Sequence, residues 1–360
     1  MRGFAPGRSG VVAAQGGRRR PPRPALVDLT PRQADVLLEL LIILAVASGV
    51  TALAIGTSWG RVVTALHAIA GLSLIVLAPA KIRGSVGTGL RRGRSTRWLS
   101  LGFGVLVISA IALGFLHSTG LWFGIGYWTA LWTHILVAFA VLGLFVWHVV
   151  SRPSRPKLAD LGRRGLLRGG AAVALGAAAY GAQEILVRGV GLAGGSRRFT
   201  GSHEVASFDP GRMPTVSWIN DRPPQSTSAV DWRLDVIGAD VRIAQLRRRV
   251  RPLTATLDCT GGWWSQQSWD AVPLSALVGE ASARSIKVTS ATGYSRLFPY
   301  SDLDNLYLAL GYGGEPLQRR HGAPVRLVAP ARRGLWWVKW VTSVQLDDRP
   351  WWLQTPFPLE

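Results

Sequence analysis

Four apolar runs in the first half of the chain constrain its fold more than any other feature. They cover residues 36–56, 62–80, 98–116 and 127–150. An α-helix needs about 20 apolar residues to cross a bilayer, and it satisfies its own backbone hydrogen bonds there. The chain is 48% hydrophobic and only 17% charged, which is low in charge for a water-soluble protein. The sequence therefore predicts a membrane α-helical bundle of four helices over residues 34–152.

The formal net charge of +21 is concentrated around these apolar runs. Residues 1–196 hold 21 of the 41 Lys and Arg but only 5 of the 20 Asp and Glu. Most of these cations outside the N-terminal tail lie in residues 83–97 and 151–168, between successive runs. Because cytoplasmic loops of membrane proteins are rich in Lys and Arg, the pattern predicts a multi-pass protein of the bacterial cytoplasmic membrane with a cytosolic N-terminus. It argues against nucleic acid as a partner.

Four histidines lie in or beside the apolar runs. His67 and His134 each fall about six residues inside the outer end of a run, so a rise of about 1.5 Å per residue places them at similar depth. Two imidazoles facing each other across a bundle suit the ligation of a b-type haem, and the arrangement resembles a four-helix cytochrome b. His117 is a possible replacement ligand, and His148 has no partner at its depth. The alternative is that these histidines form hydrogen bonds between helices or lie at the membrane interface.

Residues 162–186 combine a paired arginine with a run of small apolar residues. Arg163 and Arg164 precede two leucines, a further basic residue and the stretch GGAAVALGAAAYGAQEIL. This order resembles a twin-arginine export signal, which implies the twin-arginine export machinery as a partner. The run would form a fifth transmembrane helix that ends outside; in the alternative interpretation the two arginines only anchor that helix. We assign the export-like segment, this helix and a flexible tether to residues 153–196.

Shorter patterns predict local structure elsewhere. Residues 1–33, rich in Gly, Arg and Pro, are typical of a disordered basic cytosolic tail. Residues 232–238 alternate apolar and polar side chains, which predicts a strand. Residues 242–252 favour a helix with a basic face. Residues 286–303 predict a strand, a turn and the start of a helix.

Cys259, the single cysteine, lies in the stretch DCTGGWWSQQSWDAVPL of residues 258–274. It is the last residue of the strand-like segment LTATLDC and lies just before a glycine turn. A thiolate is a good ligand for a high-valent metal, whereas an anionic cofactor needs fixed cations and backbone donors. Arg326, Lys339 and the turn that begins at Gly334 can provide them. The alternative for a lone cysteine is a buried, inert thiol.

Together with HGAPVRLVAPARRGLWWVKW at residues 321–340, this stretch resembles the sulfite-oxidase family of molybdopterin enzymes. The resemblance implies an α+β sulfite-oxidase-type molybdopterin domain over residues 197–360, with molybdenum-molybdopterin as cofactor and Cys259 as the molybdenum ligand. It implies further site residues in two groups. Near the metal are Tyr294 and Arg296; at the pterin are Asn220, His321, Arg326, Gly334, Trp336, Trp337 and Lys339. Asn220 has ordinary turn chemistry as its alternative, and Arg296 a surface ion pair.

The combination predicts a membrane-anchored molybdopterin-dependent oxidoreductase. In place of the arginines that animal-type sulfite oxidases carry after the cysteine, this chain has Thr260, two glycines and two tryptophans. We therefore expect reduction of a sulfoxide-like small-molecule or protein substrate outside the membrane, with electrons from the membrane quinone pool through haem b. One alternative is a sulfite or other small-molecule dehydrogenase that passes electrons to the membrane. The other is a non-enzymatic membrane-anchored binding domain.

Overall fold

The structure, a computed structural model, describes residues 29–82, 97–125, 128–151, 162–216, 222–279 and 281–355. Most of the predicted basic tail, most of the basic loop at residues 83–97, and Asn220 lie outside the described residues. Within these residues five long helices come first: α1 Pro31–Ala54, α2 Gly60–Lys81, α3 Arg97–Thr119, α4 Ala130–Ser151 and α5 Arg163–Gly189. A domain of mixed sheets follows, so the predicted order of apolar helices and then an α+β domain is confirmed.

The five helices are long and apolar enough to cross a membrane, by length and composition. Their outward faces carry large apolar side chains: Ile108 is 64% exposed and Val105 is 61% exposed. Inside, α1 packs against α2, α2 against α5, and α3 against α4. Gly176 of α5 lies so close to Ser73 of α2 that a β-carbon there would overlap it. The outward faces would be stable in contact with lipid rather than water.

Two sheets build the second part of the chain. Strands β1 Gly124–Ile125 and β2 Trp128–Thr129 form only a short hairpin between α3 and α4. The six-stranded sheet runs β11-β10-β7-β3, with β12 paired to β10 and β6 to β7, and the five-stranded sheet runs β5-β4-β13-β8-β9. The strands are β3 His203–Glu204, β4 Arg233–Val236, β5 Ala239–Arg242, β6 Arg251–Asp258, β7 Trp263–Pro273, β8 Ser285–Ser290, β9 Ser295–Pro299, β10 Tyr307–Tyr312, β11 Glu315–Pro316, β12 Arg326–Val328 and β13 Val341–Asp347.

Pairing between neighbouring antiparallel strands overrides two of the local predictions. The helix predicted over residues 242–252 is only α6, Ile243–Arg247, because β6 begins at Arg251 and pairs with β7 along its whole length. The segment predicted as strand, turn and helix is instead the antiparallel pair β8 and β9, followed by a 3₁₀ turn at Tyr300–Asn305. The strand predicted at residues 232–238 is present as β4. A short helix, α7, spans Ser275–Val278.

The helical region meets the sheet domain along one end of its helices. After α1, Ile55 forms a β-bridge with Arg332. At the end of α3, the carbonyl of His117 accepts a hydrogen bond from His203 Nε2 at 2.8 Å. After α5, Arg197 forms an ion pair with Glu184 and donates to the carbonyl of Ser118. The turn that carries Cys259 also lies directly against the helical region, since a β-carbon at Gly262 would be 2.7 Å from His117 Cε1.

Candidate functional site

Cys259 occupies a tight turn between β6 and β7. Its N–H donates to the carbonyl of Trp263 at 2.8 Å, and its own carbonyl accepts from Gly262 at 3.1 Å. Gly262 has φ +89°, a left-handed conformation that glycine adopts without strain. The thiol is 8% exposed, and its Sγ accepts from the Gly261 N–H at 3.3 Å. Burial raises the pKa of Cys259, while Gly261, Arg333 and Lys339 act in the opposite direction.

One cavity opens onto this thiol and gathers most of the predicted site residues. Its walls come from α4, the segment before residue 217, the Cys259 turn with the adjoining ends of β6 and β7, the turn between β8 and β9, and the chain from His321 to Lys339. Among the described residues the predicted members that line it are Cys259, Tyr294, His321, Arg326, Gly334, Trp337 and Lys339. The other lining residues are Trp132, Pro214, Thr215, Val216, Leu257, Thr260, Trp263 and Leu335.

Arg326 places a buried positive charge in this cavity. It is 2% exposed, and its guanidinium donates to the carbonyls of His321 at 3.0 Å and Trp337 at 3.4 Å. The rings of Trp269 and Trp337 lie 5.3 and 5.6 Å from its central carbon, and its Nε has no hydrogen-bond partner in the described chain. Burial lowers the pKa of Arg326 to about 10, so it stays charged at neutral pH.

The electrostatics of the cavity fit an anionic ligand. No ion pair joins Arg326 to a carboxylate within the described residues. Burying a charge away from water is strongly unfavourable unless the charge is paired, so an anion bound beside Arg326 would be stabilised. Lys339 adds a second cation, whose Nζ donates to the carbonyl of Val216 at 2.8 Å. The cavity therefore fits an anionic cofactor beside a thiolate ligand.

His321 is the neutral member of this group. It is 2% exposed, and its ring lies edge-on to Tyr312 at 5.3 Å between centroids. Burial, with the charges of Arg326 and Lys339, lowers the pKa of His321 to about 3. The imidazole is therefore uncharged across the physiological pH range and can either donate or accept a hydrogen bond.

Two predicted residues do not line the cavity. Arg296 lies behind Tyr294: its Nε donates to the Tyr294 hydroxyl at 3.1 Å and its Nη1 to the carbonyl of Thr355 at 2.8 Å. Arg296 is 2% exposed, so the surface ion pair considered as its alternative is wrong, and its role near the metal stays a prediction. Trp336 packs between Phe298 and Trp351, with centroids 5.5 and 6.3 Å away, while its neighbour Trp337 faces the cavity.

A buried ionic network that the sequence did not reveal holds the cysteine turn. Asp258 is 2% exposed and accepts hydrogen bonds from Thr200 at 2.6 Å and Ser202 at 2.7 Å. Its carboxylate also pairs with Arg333 at 3.1 Å and Arg198 at 3.2 Å. Arg333 in turn donates to the Cys259 carbonyl at 3.1 Å. No local signal predicts this network, because Asp258 and Arg333 are far apart in the sequence and only the fold brings them together.

The helical region carries a second constellation, the pair His67 and His134. Their ring centroids are 5.7 Å apart and the rings are nearly perpendicular, at 83°. His67 Nδ1 lies 2.8 Å from the carbonyl of Ala45, and His134 Nδ1 lies 2.7 Å from that of Ala110. A carbonyl only accepts, so each Nδ1 carries the proton and each Nε2 offers a lone pair. Two such nitrogens are a ligand set suited to haem iron.

The other two histidines of this region lie elsewhere. His117 packs edge-on against His203, with centroids 5.0 Å apart, at the junction with the sheet domain. His148 stacks on Phe103 at 5.8 Å, near the opposite end of the bundle. Glycines crowd the central pair instead: a methyl group at Gly49 would lie 3.1 Å from His67 Cε1.

Comparison with known proteins identifies the second part of the chain. Residues 221–353 match the family model described as an oxidoreductase molybdopterin binding domain. Among solved structures, the sulfane dehydrogenase SoxCD from Paracoccus pantotrophus is similar at 28% identity, over 34% of this chain and 40% of that chain, with a TM-score of 0.32. This chain thus spans less than half of that protein's length. No curated protein matches it. The matched range contains Cys259, Arg326 and Lys339.

Proposed function

Residues 221–353 form a molybdopterin-binding oxidoreductase domain of the sulfite oxidase family, and we propose that the whole chain is a membrane-anchored reductase of sulfoxide-like substrates. The observation that carries the proposal is one cavity lined both by the thiol of Cys259 and by the buried Arg326, which has no carboxylate partner among the described residues. Electrons would come from quinol in the membrane through haem b in the helical region.

Different residues of this chain would bind different parts of the molybdenum cofactor. Cys259 would provide the thiolate ligand, and Arg326 and Lys339 would neutralise the anionic phosphate of the molybdopterin. Gly334 lets the chain come close: a β-carbon there would lie 3.1 Å from Cys259 Cα. The cofactor, when bound, supplies two-electron chemistry and oxygen-atom transfer. Arg296 is a positioning residue, since it acts on the cavity only through the hydroxyl of Tyr294.

The walls of the cavity favour a neutral sulfoxide over sulfite. Sulfite is a dianion and would need cations beyond those that the cofactor uses. Among the described lining residues the cations are Arg326 and Lys339, whereas Trp132, Trp263 and Leu257 make apolar walls. A sulfoxide carries no net charge and has apolar substituents, so burying it against these walls is favourable.

The helical region supports an anchor and an electron route. Its helices meet the sheet domain near Ile55, His117 and Trp132, at the end opposite to Lys81 of α2 and Arg163 of α5. By the bias of Lys and Arg towards the cytoplasm, that end faces outward. His134 lies two residues after Trp132, which lines the Cys259 cavity, so the histidine pair and the cavity are close along α4. The haem would supply one-electron transfer.

Assays in both directions test this proposal on detergent-purified protein. With a reduced viologen dye as donor, we expect reduction of methyl phenyl sulfoxide. With sulfite as donor and an oxidised quinone analogue as acceptor, we expect no turnover. Sulfite-dependent quinone reduction without sulfoxide reduction would reverse the direction in favour of a dehydrogenase. A His134→Ala variant should lose the b-type absorption band and quinol-driven reduction but keep dye-driven reduction; an unchanged band would remove the histidine pair as haem ligands.

A further inference from the structure

One wall of the cavity comes from a helix outside the molybdopterin domain. Trp132, in the first turn of α4, lines the same cavity as Cys259. The backbone at Trp132 is fixed because its amide N–H donates to Thr129 Oγ1 at 3.1 Å, just before the helix begins. It lies 89 residues before the matched range, and residues 221–353 alone do not contain it.

Gly261 shows how closely this side chain approaches the thiol. A methyl group added at Gly261 would lie 3.4 Å from Trp132 Nε1 and 3.5 Å from Cys259 Sγ. The indole and the thiol therefore flank the same small space above Gly261. Both distances are ordinary van der Waals contacts, so this space is large enough for one methyl group and is closed on the far side by Trp132.

Neighbouring contacts keep Trp132 against the cysteine turn. A β-carbon at Gly262 would lie 2.7 Å from His117 Cε1 and 3.2 Å from Leu131, so the turn is packed directly on α3 and α4. His203 locks the end of α3 to β3 through the His117 carbonyl. Packed interiors do not deform continuously, so this wall is part of the cavity rather than a mobile cover.

We propose that Trp132 is a specificity-determining residue, a wall of the active-site cavity that limits which molecules reach Cys259. The size limit on substrate rests on the proposed reductase function, whereas the wall itself rests only on the packing described above. The helical region then has two tasks: it anchors the domain and it completes the cavity.

Thiol alkylation tests the wall without any redox chemistry. Cys259 is the only cysteine, so the mass of the whole protein reports its modification alone. Full-length, cofactor-free protein in detergent is treated with iodoacetamide or with a bulky aryl maleimide. Three proteins are compared: wild type, Trp132→Ala and Trp128→Ala. Trp128 is a matched control because it is a tryptophan four residues earlier but 61% exposed.

Trp132→Ala should raise the rate with the maleimide at least about fivefold relative to iodoacetamide, since thiol reactivity follows access. Trp128→Ala should leave that ratio at the wild-type value. An unchanged ratio in Trp132→Ala overturns the proposal. So does an equal rise for both reagents in both variants, because that result indicates general loosening of the fold. Trp132→Phe, which keeps a ring, should give an intermediate ratio.

Substrate preference in the holoenzyme tests the size limit. Trp132→Ala should raise kcat/KM for methyl phenyl sulfoxide relative to dimethyl sulfoxide by about tenfold, the effect of a small change in pocket volume. Gly261→Ala, which fills the space, should shift the ratio the other way. No shift in either variant overturns the size limit. If wild type reduces neither sulfoxide, the proposed function fails, and the alkylation result still decides the wall.

Discussion

Asp258→Ala removes the carboxylate that joins the cysteine turn to the start of the sheet domain. The side chains of Asp258 and Arg333 are 3% and 2% exposed and lie 3.1 Å apart. Without the carboxylate, Arg333 keeps a buried charge with no counter-ion near the turn. The hydroxyls of Thr200 and Ser202 lose their acceptor at the same time.

The size of the effect follows from this burial. Removing one partner of a buried ion pair costs about 3–5 kcal/mol, because the other charge is left uncompensated. For a domain of this size, 1 kcal/mol shifts the melting temperature by about 2–4 °C, so Asp258→Ala should lower it by about 10 °C. Tryptophan fluorescence during heating reports the change, since Trp263, Trp269 and Trp337 are buried in this domain.

A double variant separates the charge from the packing. Arg333→Met removes the uncompensated charge, so Asp258→Ala with Arg333→Met should melt above Asp258→Ala alone. The matched surface control is Asp240→Ala, whose ion pair with Arg233 is 3.9 Å long and 58% exposed on each side. Exposed pairs contribute little, so the control should shift the melting temperature by less than about 2 °C. A shift for Asp258→Ala as small as the control's would refute the buried-network explanation.

Three further predictions concern the cavity itself. Arg326→Leu should abolish retention of the pterin cofactor while leaving a folded domain, and Arg326→Lys should retain part of the cofactor. The fluorescence of pterin released from each purified variant measures retention, and full retention in Arg326→Leu would contradict the anion site. The pKa of His321 is about 3 in the folded protein and 6.5 when unfolded, so the unfolded state binds more protons between these values and stability falls as the pH drops through that window. In denaturant titrations the free energy of unfolding of wild type should fall by up to about 1.4 kcal/mol per pH unit relative to His321→Gln. Parallel plots of stability against pH for the two proteins would contradict this. Gly334→Ala places a β-carbon 3.1 Å from Cys259 Cα. The overpacking should lower the free energy of unfolding by about 1–3 kcal/mol and reduce the molybdenum content. An unchanged melting curve would contradict the overpacking.

Sequence patterns specify the parts of this protein that depend on neighbouring residues. The apolar runs predict the long helices because length and composition alone decide whether a helix can be buried in apolar surroundings. The residues around Cys259 and the segment at 321–340 predict the cavity, because the metal-ligating thiol and the two cations of the site all lie within these short motifs. Within the described chain, the structure brings Cys259, Arg326 and Lys339 into one cavity.

What the sequence did not predict depends on contacts between distant residues. Arg296 and Trp336 are predicted near the metal and at the pterin from their positions in motifs, whereas Arg296 donates to the carbonyl of Thr355 and Trp336 packs against Phe298. No local pattern indicates that Trp132, in an apolar run, lines the same cavity as Cys259, which lies more than 120 residues later in the chain. Such placements are decided by tertiary packing, which periodicity cannot report.

Molybdenum content in Cys259→Ser protein tests the enzyme assignment most directly. Wild-type protein, purified in detergent from a host that makes the cofactor, should hold about one molybdenum per chain, bound through the only thiolate. Cys259→Ser should lose the metal or show an altered molybdenum resonance spectrum, while its melting curve stays close to wild type. Wild-type protein without molybdenum, or a serine variant with the same content and the same spectrum, would contradict a molybdenum enzyme ligated by Cys259.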